Sequence, residues 1–153
     1  MRSTGEPTDP LSKFSLSVFK LNGLLMRNGD NITKSIGQSS ARWQVLGRIG
    51  YEPQTVAKMA RDMGHARQSV QRVADVLVNE KLAVYQANPA DRRAQLLGLT
   101  PKGAKTLADI YAAYGAWSQH IMTKLSPEQL TAAAEALESI GQILETDINN
   151  NKE

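Results

Sequence analysis

Two short groups of side chains in this chain have types and spacings that could do chemistry. One is Arg67, Gln68, Ser69, Gln71 and Arg72; the other is Asp91, Arg92 and Arg93. An arginine can donate two hydrogen bonds to guanine, a glutamine can pair with adenine, and a serine suits a base edge or a phosphate. The chemistry on offer is therefore major-groove readout of a nucleic acid. Nothing comparable points to catalysis: there is no Gly-rich phosphate loop, no Ser-His-Asp or Cys-His grouping and no dense polar cluster. Glu128, Glu135 and Glu138 read as solvated charge on a helix flank. No enzymatic activity is expected.

Charge points the same way. The chain carries a formal +3, and residues 53–103 hold eight Lys/Arg against four acids, a net of +4. The remainder holds ten bases and eleven acids. All the net positive charge thus lies in the middle third, which suggests that this segment meets an anion.

The first group must be positioned by a helix. At about 100° per residue, Val70, Val73, Ala74 and Leu77 fall on one side of a segment from about Ala66 to Glu80. Gln68, Arg72 and Asp75 fall opposite, flanked by Arg67, Ser69 and Gln71. An ordinary solvated face would carry Glu and Lys pairs, and no acid occurs on this one before Asp75. A shorter helix, Val56–Met63, precedes it, introduced by Pro53 and Gln54-Thr55 and stopped by Gly64. Two helices with so short a Gly-marked turn predict a helix-turn-helix. A further helix, about Ser40 to Arg48 and ended by Gly50, comes before them.

The second group sits on a turn. Leu82–Tyr85 and Leu96, Leu97 and Leu99 predict two short strands, joined by a charged tip of about five residues that Pro89 stiffens. On an extended chain Asp91 and Arg93 leave the same side, so the carboxylate is expected to brace the guanidinium and aim it outward.

Three long helices flank this unit. Asp9-Pro10 starts one with Leu11, Phe14, Val18, Leu21 and Leu25 at seam spacing, ended by Asn28-Gly29-Asp30-Asn31 and followed by a loop to about Ser40. Thr100-Pro101 starts another, with Leu107, Ile110, Tyr114, Trp117 and Ile121, running to about Leu125. Ser126-Pro127-Glu128-Gln129 is a capping box for the last. That helix repeats Leu130, Leu137 and Leu144, with Ala133 and Ile140, every seven residues before a frayed tail at Asn149–Glu153. Stripes on arms outside a separate compact unit predict a subunit interface and a homodimer.

At 153 residues the chain is one domain's worth. The expected fold class is mainly α, a winged helix-turn-helix at 40–100 with long N- and C-terminal dimerisation helices at 10–28 and 101–148, all within a single domain, 1–153. The absence of cysteine excludes disulfides, thiolate zinc sites, Cys nucleophiles and thiol redox sensing. Two histidines, His65 and His120, offer no paired metal spacing, so neither metal nor cofactor is expected. Residues 1–8 read as a loose tail without a secretory h-region, and no run approaches the roughly 18 apolar residues of a membrane span. The expected location is cytoplasmic, with no membrane partner.

The stretches ARWQVLGRI, TVAKMARDMG, RQSVQRVADVLVNEKL and DRRAQLLGLTPKG together resemble the MarR (multiple-antibiotic-resistance regulator) family of bacterial transcription factors. The similarity is strongest from Ala41 to Gly103. Its most specific part is Asp-x-Arg followed by Leu-x-Leu-Thr, here Asp91, Arg93, Leu97, Leu99 and Thr100. The resemblance implies a triangular homodimer whose fourth helix enters the major groove through Arg67, Gln68, Ser69, Gln71 and Arg72. It also implies that Arg93 enters the minor groove, held by Asp91, while Arg92 contacts phosphate. It implies a near-palindromic double-stranded operator, and a repressor released by a small aromatic or phenolic effector. Phe19, Trp43, Tyr111 and Tyr114 are the candidate pocket walls, though each also reads as core or seam packing. The alternative is a winged-helix module for protein or RNA contact without operator readout.

Overall fold

The structure, a computed structural model, describes residues 9–152; the tail expected at residues 1–8 lies outside them. In chain order the elements are α1 (Pro10–Thr33), a 3-10 turn at Lys34–Ile36, α2 (Ser40–Tyr51), α3 (Val56–Met63) and α4 (Arg67–Asn79). They are followed by β1 (Ala83–Gln86), β2 (Leu96–Leu99), α5 (Pro101–Met122) and α6 (Pro127–Asn150). This is the mainly α, winged helix-turn-helix class. The chain divides within α5 into two compact units, one ending at Tyr114 and the other beginning at Gly115.

The first unit owns the core. Its helices α2, α3 and α4 each turn an apolar stripe inward, and Leu46, Met59 and Leu77 are fully enclosed. Leu97 of β2 and Ile110 of α5 complete the enclosure. Burying a side chain of this size stabilises by roughly 1.5–3 kcal/mol, so this cluster dominates the unit. The strands pair antiparallel, Ala83 opposite Leu99 through Gln86 opposite Leu96. Gln54 adds a single bridge to the far edge: its N–H donates to the Leu97 carbonyl at 3.1 Å and its carbonyl accepts from Leu97 N–H at 2.7 Å.

Several sequence expectations need correcting. Asn28-Gly29-Asp30-Asn31 does not end α1, which continues to Thr33. Gly29 is where α1 touches α2, because a Cβ there would collide with the Ser40 hydroxyl. Ser39 caps α2, and Asp30 on α1 accepts from its first N–H, that of Ser40, at 2.8 Å. Gly50 likewise lies inside α2, and a Cβ there would reach Leu107 Cδ2 at 2.6 Å. In both places the glycine serves packing rather than termination. On α5, Leu107 and Ile110 are buried in the first unit's core, so two of the five residues of the stripe expected at a subunit seam are used within the chain. That helix stops at Met122, short of Leu125. At the other end α6 stays helical through Asn149 and Asn150, where fraying was expected.

The caps follow the sequence closely. Asp9 accepts from Ser12 N–H at 2.9 Å, and Ser126 from Gln129 N–H at 3.3 Å. Unlike the first unit's helices α2, α3 and α4, the long helix α6 buries none of its residues: Leu130, Leu137 and Leu144 are exposed by 42%, 42% and 50%. On α1 the exposed apolar residues include Leu11, Leu16, Phe19, Leu21, Leu24 and Leu25. Among the described residues no helix is long and apolar enough to cross a membrane.

Candidate nucleic-acid interface

The helix-turn-helix is built by two termini. Thr55 caps α3, accepting from Lys58 N–H at 3.1 Å, and Gly64 closes it in the left-handed region at φ 64°. There Gly64 N–H reaches the carbonyls of Ala60 and Arg61, and His65 N–H reaches Ala60 at 3.0 Å. Glycine meets that φ without steric cost, which lets the chain reverse within two residues and start α4. Val70, Ala74 and Leu77 anchor α4 inward. Its first turn has neither a capping side chain nor an acid, and it opens on Arg67. A cation at the positive end of a helix is unfavourable alone and becomes favourable when an anion approaches.

Arg67, Gln68, Ser69 and Arg72 are all exposed, and Gln71 is half-buried. Arg67, Gln68, Gln71 and Arg72 line one shallow concavity. Among the described residues, the side chains of Arg67, Gln68 and Arg72 engage no other group. Gln71 is different. Its amide nitrogen donates to the Asp75 carboxylate at 2.9 Å and to the Tyr85 hydroxyl at 2.7 Å. The Tyr85 hydroxyl in turn donates to the same Asp75 oxygen at 2.8 Å. Partial burial pushes the Tyr85 phenol up to about 12, with the hydrogen bond to Asp75 as the next cause.

The wing tip departs from the expected geometry. Nine residues, 87–95, separate the strands, and they turn rather than extend. Asn88 accepts from Ala90 N–H at 3.1 Å, and Asp91 from Arg93 N–H at 2.9 Å. The Asp91 carboxylate therefore braces the backbone of Arg93 and not its guanidinium. The reason is local: an Asx turn satisfies a carboxylate two residues upstream more closely than a side-chain pair can. Asp91, Arg92 and Arg93 are all exposed.

A second bracket ties α4 to the rest. Arg42 on α2 forms a two-pronged pair with Glu80, just past the end of α4, at 2.9 and 2.7 Å. Lys102 Nζ donates to the Glu80 carbonyl at 3.0 Å. Neither Glu80 nor Tyr85 stands out in the sequence. The available signals were an Asp four residues after Gln71, the helical pairing distance, and an aromatic in the strand that follows.

Of the four aromatic candidates, the structure brings two into ring contact. Trp43 and Tyr114 meet edge to face with ring centroids 5.3 Å apart. Tyr111 lies over α2, where a Cβ on Gly47 would sit 3.6 Å from its hydroxyl. Phe19 is 71% exposed on α1. Among the described residues no three His, Cys, Asp or Glu gather as a metal site would require.

A MarR family model matches residues 36–94, which span α2 through the wing tip. An uncharacterized protein of Mycobacterium tuberculosis is 35% identical over 130 residues, covering 85% of this chain and 91% of its own. The fold is that of Staphylococcus aureus MarR in complex with salicylate and kanamycin (TM-score 0.71, 18% identity, 88% of this chain and 91% of that one). It is also that of S. aureus MepR in a DNA complex (TM-score 0.70, 17% identity, 84% and 96%).

Proposed function

The chain belongs to the MarR family of transcription regulators, and from that premise we propose that it is a homodimeric repressor that reads a near-palindromic DNA operator. The observation that carries the reading is the face of α4. Arg67, Gln68, Ser69 and Arg72 stand exposed on a helix start with no acid in its first turn, and the wing presents Arg92 and Arg93 nearby in the chain. Arg67, Gln68, Ser69, Gln71 and Arg72 would meet bases and phosphates in the major groove. Arg93 would enter the minor groove, with Asp91 holding its backbone, and Arg92 would contact phosphate.

A dimer sets its two reading helices about one helical turn apart, roughly 34 Å, so the operator mirrors the protein's two-fold axis. The exposed apolar faces of α1 and α6 supply the contact between copies. We assign 10–28 and 101–148 to that role, apart from Leu107 and Ile110, which the chain's own core encloses, and 40–100 to DNA. A small aromatic or phenolic effector would release the DNA by binding at the aromatic residues Phe19, Trp43, Tyr111 and Tyr114. The ring pair Trp43–Tyr114 and the adjacent Arg42–Glu80 clasp give a material route from such a ligand to α4. The energetic requirement is that the ligand prefer the spacing that does not fit DNA.

Fluorescence anisotropy of the purified protein on its own promoter region, at two salt concentrations, tests this reading. Saturable binding should weaken steeply with salt, and Arg72→Ala should weaken it by about 1–3 kcal/mol with an unchanged melting temperature. Adding salicylate should lower the affinity. Equal binding to random duplexes would refute operator reading, and tight binding indifferent to salicylate would refute that effector.

A further inference from the structure

The closed triangle of Gln71, Asp75 and Tyr85 links the middle of α4 to strand β1 of the wing, and its three sides measure 2.7, 2.8 and 2.9 Å. Each edge constrains the others. The carboxylate of Asp75 can only accept, so it admits the nitrogen end of the Gln71 amide and repels the oxygen end. The Tyr85 hydroxyl spends its single proton on Asp75 and offers its oxygen to Gln71. The amide is therefore orientationally locked, with its nitrogen held toward Asp75 and Tyr85. Its carbonyl oxygen has no partner among the described residues.

We propose that Tyr85 is a specificity-determining positioning residue: with Asp75 it holds Gln71 so that the carbonyl oxygen is the atom presented to DNA. This rests on the reading of α4 as the DNA-reading helix and refines it. A free glutamine can turn either end of its amide outward and so meets donors and acceptors alike. A glutamine held by its nitrogen favours a base that offers an amino group in the major groove, which means adenine or cytosine. Guanine and thymine present acceptors at the corresponding edges and face the oxygen unfavourably. The wing strand thus edits what the reading helix accepts, at one base pair in each half-site, without touching a base itself.

The experiment uses the full-length protein and a pool of duplexes carrying every single-base change in its best operator. Wild type should prefer adenine or cytosine over guanine or thymine at one position per half-site, by roughly fivefold for a single hydrogen bond. Tyr85→Phe should weaken the preference at that position alone, because Asp75 still holds the amide. Tyr85→Phe with Asp75→Ala should flatten it, with the remaining profile in place and only a small fall in melting temperature for Tyr85→Phe. Gln71→Ala should flatten the same position, and adding Tyr85→Phe to it should change nothing more. An absorbance titration gives an independent readout of the triangle: the Tyr85 phenol should titrate near 12 in wild type and fall toward its ordinary value in Asp75→Asn. A Tyr85→Phe profile that matches wild type, or weakens uniformly at every position, overturns the proposal while leaving operator reading intact. A wild-type profile with no preference anywhere removes operator reading itself, and this refinement falls with it.

Discussion

Helices α4 and α6 are both amphipathic, yet they settle their apolar faces in opposite ways. The stripe of α4 is enclosed by its own chain, with Val70, Ala74 and Leu77 buried, and its polar face is left outward. The 24 residues of α6 bury nothing, and Leu130, Leu137 and Leu144 remain open at seven-residue spacing. A periodic stripe therefore states that a helix needs a partner, while the partner's identity lies elsewhere. Where the stripe is completed internally, the opposite face is free for ligands. Where it is not, the apolar face is left exposed, as on α6.

The largest effect should come from breaking the open stripe. Leu137→Asp removes one leucine of the open stripe from each copy and inserts two charges, which should cost the proposed dimer roughly 3–6 kcal/mol if both leucines are enclosed between copies. Light scattering should then show a monomer, with the winged unit's helical circular dichroism retained; a persistent dimer would mean that α6 does not hold the copies together. Next in size is the closed stripe. Leu77→Ala should cost about 2–5 kcal/mol of stability by cavity formation and lower the melting temperature without changing subunit count at low temperature. A loss under 1 kcal/mol would show that the core closes up around the gap. The smallest effect concerns the polar face of α4. The raised Tyr85 pKa adds stability that is fully present below about pH 10, the ordinary value, and is lost as pH rises toward about 12. In Tyr85→Phe that alkaline slope of melting temperature should be shallower, and identical slopes would argue that the phenol is neither buried nor paired in solution.

The comparison also explains what the sequence could disclose. Helix α3 was placed to the residue and α4 to within one, because Thr55, Gly64 and the apolar period act over a few residues. The exposed reading face followed from the same period. Gly29 and Gly50 misled because a glycine that ends a helix and one that admits a neighbouring helix look alike in one dimension. Leu107 and Ile110 misled similarly: nothing in their spacing distinguishes α2 as a partner from a second subunit. The Asp91 expectation failed because the carboxylate closes on the Arg93 backbone N–H two residues on. The tip turns where an extended chain was expected, and each Asx turn closes over only two residues. Gln71, Asp75 and Tyr85 were individually visible, but their closure needed the wing strand laid beside α4, a contact made across 14 residues of chain.

The wing tip has one more consequence. Ordering a free residue costs about 1–2 kcal/mol in backbone conformational entropy, so a floppy tip of this length would surrender much of whatever its arginines gained on contact. Here Pro89 fixes one torsion inside the turn that Asn88 closes, and Asp91 closes a second turn just after it. Arg92 and Arg93 thus sit on a tip that two side-chain bonds and a proline already restrict, which lowers the entropy left to lose when a partner arrives.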